Sequence, residues 1–299
     1  LVSQHLTEML PVLYTPTVGK AVEQFSQEFQ RPRGLYIAYP DRDHIEEIIE
    51  NRFNSEVDII VMTDGAGVLG IGDQGIGGMD ICIVKSMVYV LCGGVNPSRL
   101  LPIQIDVGTD NEQLLNDPMY LGWRHPRISG KEYDDMVERV VLAIQRKLPQ
   151  AYLHWEDFGR ENARRNLERY HQQMCTFNDD MQGTGAVTLV ALLSAITRTK
   201  VPLTEQRIVI VGAGTAGTGI ADQLCAAMRR EGLSQQEALS RFYLVGRHGL
   251  LHQAMPELTA FQKPYARSDL AETGTNLSLH EVVKRFKPSV LIGCSGQGG

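Results

Sequence analysis

The chain has 299 residues, 43% of them hydrophobic and 21% charged, the balance of an ordinary soluble protein with enough length for two domains. A formal net charge of −6, with both signs mixed along the chain, excludes a nucleic-acid surface, which needs a sustained Lys/Arg stripe. Cys82, Cys92, Cys175, Cys225 and Cys294 are scattered without zinc-type spacing, which fits a reducing, cytoplasmic setting. The most apolar run, Ile81 to Val95, is too short to span a bilayer and carries Lys85. No basic-then-apolar leader opens the sequence, so no membrane role is expected.

Residues 1–35 are predicted to be a helical segment broken at Tyr14-Thr15-Pro16-Thr17. There Pro16 disfavours helix for the residue before it, and Thr17 can cap the next helix. Residues 36–178 alternate apolar strands with helices: Asp58 to Met62, a helix around Lys85, Pro102 to Val107, a helix from Tyr133 to Lys147, and Tyr152 to Trp155. This alternation predicts a largely parallel α/β sheet. Residues 179–299 begin with a helix from Met181 to about Thr197. They then run through the strand Arg207 to Val211, a glycine turn, a long helix and the strand Phe242 to Val245. The fold class is α/β: a Rossmann-type dinucleotide-binding domain preceded by a second parallel-sheet domain and a short helical N-terminal segment. Both ends read as cut, since the chain opens on Leu1 and stops at Gly298-Gly299 directly after the strand Val290 to Gly293.

The turn Gly212-Ala213-Gly214-Thr215-Ala216-Gly217 follows a strand, opens a helix and is succeeded by another strand, the context that gives G-x-G-x-x-G physical meaning. Gly212 permits the tight turn, Gly214 lets backbone approach a pyrophosphate, and Gly217 allows close packing of the helix, whose free N–H groups face the anion. An NAD-type cofactor is the reading. A bare glycine-rich turn without ligand is the alternative. The acid that usually ends the second strand is missing, because Val245 is followed by Gly246-Arg247-His248. With no carboxylate to repel a 2′-phosphate and Arg247 adjacent, NADP is also conceivable.

Two acid pairs stand upstream, Glu156-Asp157 and Asp179-Asp180. Carboxylate oxygens suit hard cations such as Mn²⁺ and Mg²⁺. Adjacent acids on an ideal strand point to opposite faces, so Glu156 and Asp157 can share an ion only if the strand ends there; Asp157-Phe158-Gly159 supplies a break. One of Asp179 and Asp180 could cap the following helix while the other turns to an ion, or all four acids could be caps and solvated surface groups. Lys85 has apolar helical neighbours, and is either a general base with a displaced pKa or a side chain that snorkels to water. Tyr14 is either a general acid or an interior aromatic.

Taken together, Tyr14-Thr15-Pro16-Thr17-Val18-Gly19, Gly72-Asp73-Gln74-Gly75, Glu156-Asp157-Phe158 and Phe177-Asn178-Asp179-Asp180-Met181-Gln182-Gly183-Thr184 resemble the motifs of the malic enzyme family, its malolactic branch included. The resemblance runs in order over essentially the whole chain. It implies that Glu156, Asp157 and Asp180 hold Mn²⁺ or Mg²⁺, and that Lys85 takes the proton of the L-malate C2 hydroxyl. It further implies that Tyr14 protonates the enolpyruvate carbon after decarboxylation, that Asp179 supports Lys85, and that Asp180 and the Gly212–Gly217 turn belong to the NAD(P) site. A homodimer or homotetramer is implied as well.

One family residue does not carry over: malic enzymes usually have an arginine where this chain has Gly67, and a bidentate guanidinium is hard to replace. Malolactic enzymes resemble the chain in having glycine there, and in the wording His154-Trp155-Glu156-Asp157-Phe158-Gly159-Arg160. They convert malate to lactate and CO2 while keeping NAD bound. The expectations are therefore oxidative decarboxylation of L-malate to pyruvate, the malolactic outcome, or a catalytically silent NAD-binding regulatory protein. The last is motivated by the missing Arg at 67 and the missing acid at 246.

Overall fold

The computed structural model describes all residues except Leu1, Gln30, Pro32, Leu69, 270–275 and 296–299. Leu1 and the closing Gly298-Gly299, named in the sequence analysis, lie outside the described residues. The chain divides into two compact units, Leu1–Asn178 and Asp179–Gly299.

In the first unit, short apolar runs without strict alternation form strands buried on both faces, as parallel sheets require. They are β1 (Leu35–Ala38), β2 (Ile59–Thr63), β3 (Leu100–Asp106), β4 (Tyr152–Trp155) and β5 (Thr176–Asn178), in the order β1-β3-β2-β4-β5. All neighbours are parallel, and Met62 sits opposite both Ile103 and Trp155. Ile60, Val61, Met62, Ile103, Ile105, Leu153 and Trp155 are fully excluded from water and form the centre of the core.

Among the described residues seven α-helices accompany this sheet: α1 (Leu6–Leu13), α2 (Thr17–Gln24), α3 (Ile45–Glu50), α4 (Met79–Gly93), α5 (Glu112–Asn116), α6 (Gly130–Lys147) and α7 (Arg160–Tyr170). Val18 and Val22, one turn apart on α2, pack with Val68 and Ile81, and Tyr14 lies at the margin of that cluster. Thr17 does not cap α2 as expected. It is the first residue of the helix, and its hydroxyl donates to the Pro11 carbonyl at 2.9 Å.

A 3₁₀ turn, Gly75–Gly78, runs straight into α4, so the helical stretch Gly75–Gly93 has 19 residues and is long and apolar enough to cross a membrane by length and composition. The run expected from Ile81, too short to span a bilayer, is thus six residues longer at its start. Half of the stretch is buried inside the protein, with Met79 and Cys82 packed on Val61 of β2, so α4 is accounted for as a core helix.

In the second unit, β6 (Ile208–Val211), β7 (Phe242–Gly246), β8 (Gly249–Leu250) and β9 (Val290–Gly293) form a sheet ordered β8-β7-β6-β9. β6 runs parallel to β7 and β9, while β8 folds back antiparallel on β7. α8 (Thr184–Thr199), α9 (Thr215–Arg230), α10 (Gln235–Ser240) and α11 (Leu279–Phe286) accompany it. Leu192, Ile208, Ile210, Leu224, Met228 and Leu244 share one apolar core. The helix expected from Met181 is two elements: a π-helical turn, Asp179–Gly183, and then α8 from Thr184. This is a Rossmann-type arrangement, with the glycine turn between β6 and α9.

Candidate active site

In parallel sheets, ligand-binding residues gather beyond the carboxyl ends of the strands. β4 ends at Trp155, and the next two residues are Glu156 and Asp157, whose side chains are 2% and 4% exposed. The Glu156 N–H still donates to the Met62 carbonyl of β2 at 2.9 Å, so its position is fixed by the sheet. Asp157 then turns the chain with φ +52°, a left-handed conformation that few residues other than glycine adopt. The turn replaces strand alternation, and the charges of both acids reach Tyr14 and Cys82. Trp155 anchors the turn from below, stacking on Tyr170 of α7 at 5.8 Å and meeting Phe158 edge-on at 5.3 Å.

Glu156 is the hub. Its Oε1 accepts from Lys85 Nζ at 3.0 Å and, more weakly, from the Tyr14 hydroxyl at 3.5 Å. The Lys85 ammonium also sits 5.0 Å from the centroid of the Tyr14 ring. Lys85 therefore does not snorkel to water: its charge is met by a buried carboxylate. Burial, and next the Glu156 charge, push the Tyr14 phenol above its ordinary pKa, against the opposing pull of Lys85. The phenol stays protonated, the form a proton donor needs. Burial, followed by the charges of Glu156 and Asp157, likewise pushes the Cys82 thiol up, which keeps it an unreactive neutral neighbour.

Two residues of this cluster carried no role in the sequence reading. His154 Nε2 lies 2.5 Å from Glu156 Oε2, and the Tyr89 hydroxyl lies 2.7 Å from His154 Nδ1. The signals were present as spacing: His154 precedes Glu156 by two residues along a strand, and Tyr89 follows Lys85 by four on a helix, each pair sharing a face. The opposite face of α4, with Ile83, Ser86, Met87 and Val90, lines a separate open cavity of about 550 Å³.

Gly67 lies against this turn. Its N–H donates to the Asp157 carbonyl at 2.9 Å, and a Cβ there would fall 2.7 Å from the Phe158 carbonyl oxygen. With the loop in this shape no side chain fits at 67, arginine included. Arg127 is engaged elsewhere, holding Asp73 through Nε and Nη2 at 2.7 Å and the Asp64 carbonyl at 2.9 Å.

Asp179 and Asp180 stand in the π-helical turn that opens the second unit. α8 begins at Thr184 with Gly183 before it, so neither acid takes the N-cap position the sequence allowed for. The glycine turn is built as its spacing requires. Gly212 has φ +106°, and a Cβ on Gly217 would fall 1.9 Å from the Gly212 carbonyl oxygen. Ala213 is buried, its carbonyl held by Gln262 Nε2 at 2.7 Å, and α9 starts at Thr215, so the N–H groups of Thr215, Ala216 and Gly217 open the helix without intrahelical partners. Arg247 is exposed in the turn between β7 and β8, and Gly246 closes β7 where a ribose-binding acid would stand.

Residues 1–171 match the family model described as the malic enzyme N-terminal domain, and residues 181–299 match the malic enzyme NAD binding domain. An NAD-dependent malic enzyme of Aeromonas hydrophila is 49% identical over 303 residues, covering 100% of this chain and 54% of that protein. NAD-dependent malic enzyme 2 of Photobacterium profundum is 51% identical over 301 residues, covering 99% and 54%. The chain thus spans about half the length of these relatives. Among solved structures, Entamoeba histolytica malic enzyme superposes with a TM-score of 0.56 at 21% identity, covering 97% of this chain and 51% of that one. The NAD-dependent malic enzyme of Thermotoga maritima gives 0.57 at 20% identity, covering 96% and 62%.

Proposed function

The chain belongs to the malic enzyme family, and on that premise we propose that it carries out divalent-metal-dependent oxidative decarboxylation of L-malate to pyruvate and CO2 with NAD as oxidant. The observation that carries the reading is the convergence of Lys85 and Tyr14 on one oxygen of buried Glu156. A base and an acid are thereby held beside a carboxylate of the kind that binds hard cations. In its neutral amine form, with its own proton first given up, Lys85 Nζ receives the proton of the malate C2 hydroxyl. Tyr14, kept protonated by its surroundings, delivers one to C3 of the enolpyruvate left after CO2 departs. When bound, NAD accepts the C2 hydride and Mn²⁺ or Mg²⁺ polarises the malate oxygens.

Glu156 and Asp157 fit the metal as adjacent buried oxygen donors, and Asp180 is the third ligand of the reading. It follows Asn178 by two residues, a reach of roughly 7 Å at most, and Asn178 pairs in register with Trp155, the residue before Glu156. Asp179 is assigned to support Lys85. Asp180 also belongs to the cofactor side, together with Gly212, Ala213, Gly214, Thr215, Ala216 and Gly217. Arg247 leaves NADP as a second cofactor.

The crowding at Gly67 favours a second reading, the malolactic outcome, in which pyruvate is reduced to lactate before release. One assay separates them. The full-length protein is incubated with L-malate, Mn²⁺ and NAD, then with NADP, and reduced cofactor, pyruvate and lactate are measured. Pyruvate with stoichiometric NADH supports malic enzyme chemistry, and lactate without net cofactor reduction supports the malolactic branch. Absence of all products refutes both.

A further inference from the structure

We propose that Tyr89 and His154 form a positioning couple that fixes the carboxylate plane of Glu156, assigning Oε2 to the protein and Oε1 to the site's chemistry; this rests on the reading of Glu156 as a metal ligand. His154 is 1% exposed, and its ring is fixed by β4 backbone pairing and by edge contacts with Tyr89 at 5.6 Å and Phe177 at 5.7 Å. An ionised carboxylate has no proton to give, so Nε2, 2.5 Å from Oε2, carries the hydrogen of that bond. In the neutral ring Nδ1 is then an acceptor, and the Tyr89 hydroxyl, 2.7 Å away, is the donor that holds that tautomer.

Helix α4 grips both oxygens of Glu156. Lys85 reaches Oε1 directly, and Tyr89, one helical turn on, reaches Oε2 through His154. A carboxylate held at both ends cannot rotate, and the oxygen that Lys85 and Tyr14 share is Oε1. Hydrogen bonds of this outer kind orient ligands to a cation, and their loss typically weakens metal binding by about 10–100-fold.

The test is Mn²⁺ binding, followed by the EPR signal of free Mn²⁺, for the full chain and for the variants Glu156→Gln, His154→Phe, His154→Gln and Tyr89→Phe. Glu156→Gln is expected to lose binding. His154→Phe should weaken it by roughly 10–100-fold, and Tyr89→Phe by about 3–10-fold, the loss of one hydrogen bond. His154→Gln restores an amide N–H toward Oε2 and should stay within about threefold of the parent, a rescue that a purely space-filling role would not give. Binding at parental strength in either Tyr89→Phe or His154→Phe, with Glu156→Gln still defective, overturns the positioning couple while leaving the metal reading intact. Undiminished binding in Glu156→Gln, or none in the parent, overturns the metal reading and the couple with it. If His154→Phe fails to fold, Tyr89→Phe and His154→Gln decide the matter: a Tyr89→Phe protein of parental affinity overturns the proposal.

Discussion

Lys85 and Glu156 face each other across 3.0 Å, with side chains 12% and 2% exposed, so the only lysine on α4 is spent on the carboxylate that β4 delivers. If Lys85 is the base, Lys85→Ala lowers the rate of malate oxidation by about 10²–10⁴-fold. Mn²⁺ and NAD binding should persist, because Glu156 keeps His154 and the dinucleotide turn lies in the other unit. Steady-state rates beside equilibrium binding measurements check this; near-normal oxidation refutes the assignment.

Asp157 combines a charge with a left-handed backbone, and the two can be separated. Asn tolerates positive φ, so Asp157→Asn should melt close to the parent yet bind Mn²⁺ more weakly. Asp157→Val imposes a β-branched residue on φ +52° and should cost about 1–2 kcal/mol in addition. Thermal melts with Mn²⁺ titrations decide, and an Asp157→Asn protein of parental Mn²⁺ affinity removes Asp157 from the ligand set.

Asp73 and Arg127 form a mostly buried pair with side chains 17% and 11% exposed. Although burial opposes ionisation, the Arg127 guanidinium and the N–H groups of Gly75 and Asp110 hold the Asp73 carboxyl below its ordinary value near 3.8. A depressed folded-state pKa stabilises fully above the unfolded value, and that contribution is lost as pH falls through the folded one. Denaturant melts should therefore show part of the acid loss of stability, below about pH 4, disappear in Asp73→Asn. At neutral pH that variant should be less stable by about 3 kcal/mol. An unchanged acid limb contradicts the pairing.

A methyl group at Gly217 has nowhere to go, with the Gly212 carbonyl 1.9 Å from its position. Gly217→Ala should displace α9 from the turn, weakening NAD binding at least about tenfold. Isothermal titration with NAD checks the outcome; parental affinity would show that the turn has slack the structure does not show.

What the sequence disclosed follows from burial. β2, β3, β4, β6 and β7 stood out as continuous apolar runs because they are buried on both faces, whereas β9 stood out by composition alone, with Leu291 59% exposed. β1, β5 and β8 did not: Thr176–Asn178 has three residues and Gly249–Leu250 two, too few for any period. Met181 to Gly183, inside the π-helical turn Asp179–Gly183, read as the start of an α-helix because a change of hydrogen-bond register leaves no mark in composition. The acids, the lysine and the tyrosine were nameable from residue type and family resemblance. What could not be read was their pairing, since Tyr14 and Glu156 are 142 residues apart and Tyr89 and His154 are 65 apart. The crowding at Gly67 was likewise invisible, because it comes from the Phe158 carbonyl of another loop.

Glu156, Asp157 and Asp180 are proposed to share one cation, and anomalous diffraction from crystals of the full-length protein grown with Mn²⁺ and NAD decides whether they do. A single strong Mn²⁺ peak about 2.0–2.3 Å from a carboxylate oxygen of each of the three residues is expected. A peak that reaches only one of the three, or lies elsewhere in the molecule, contradicts it.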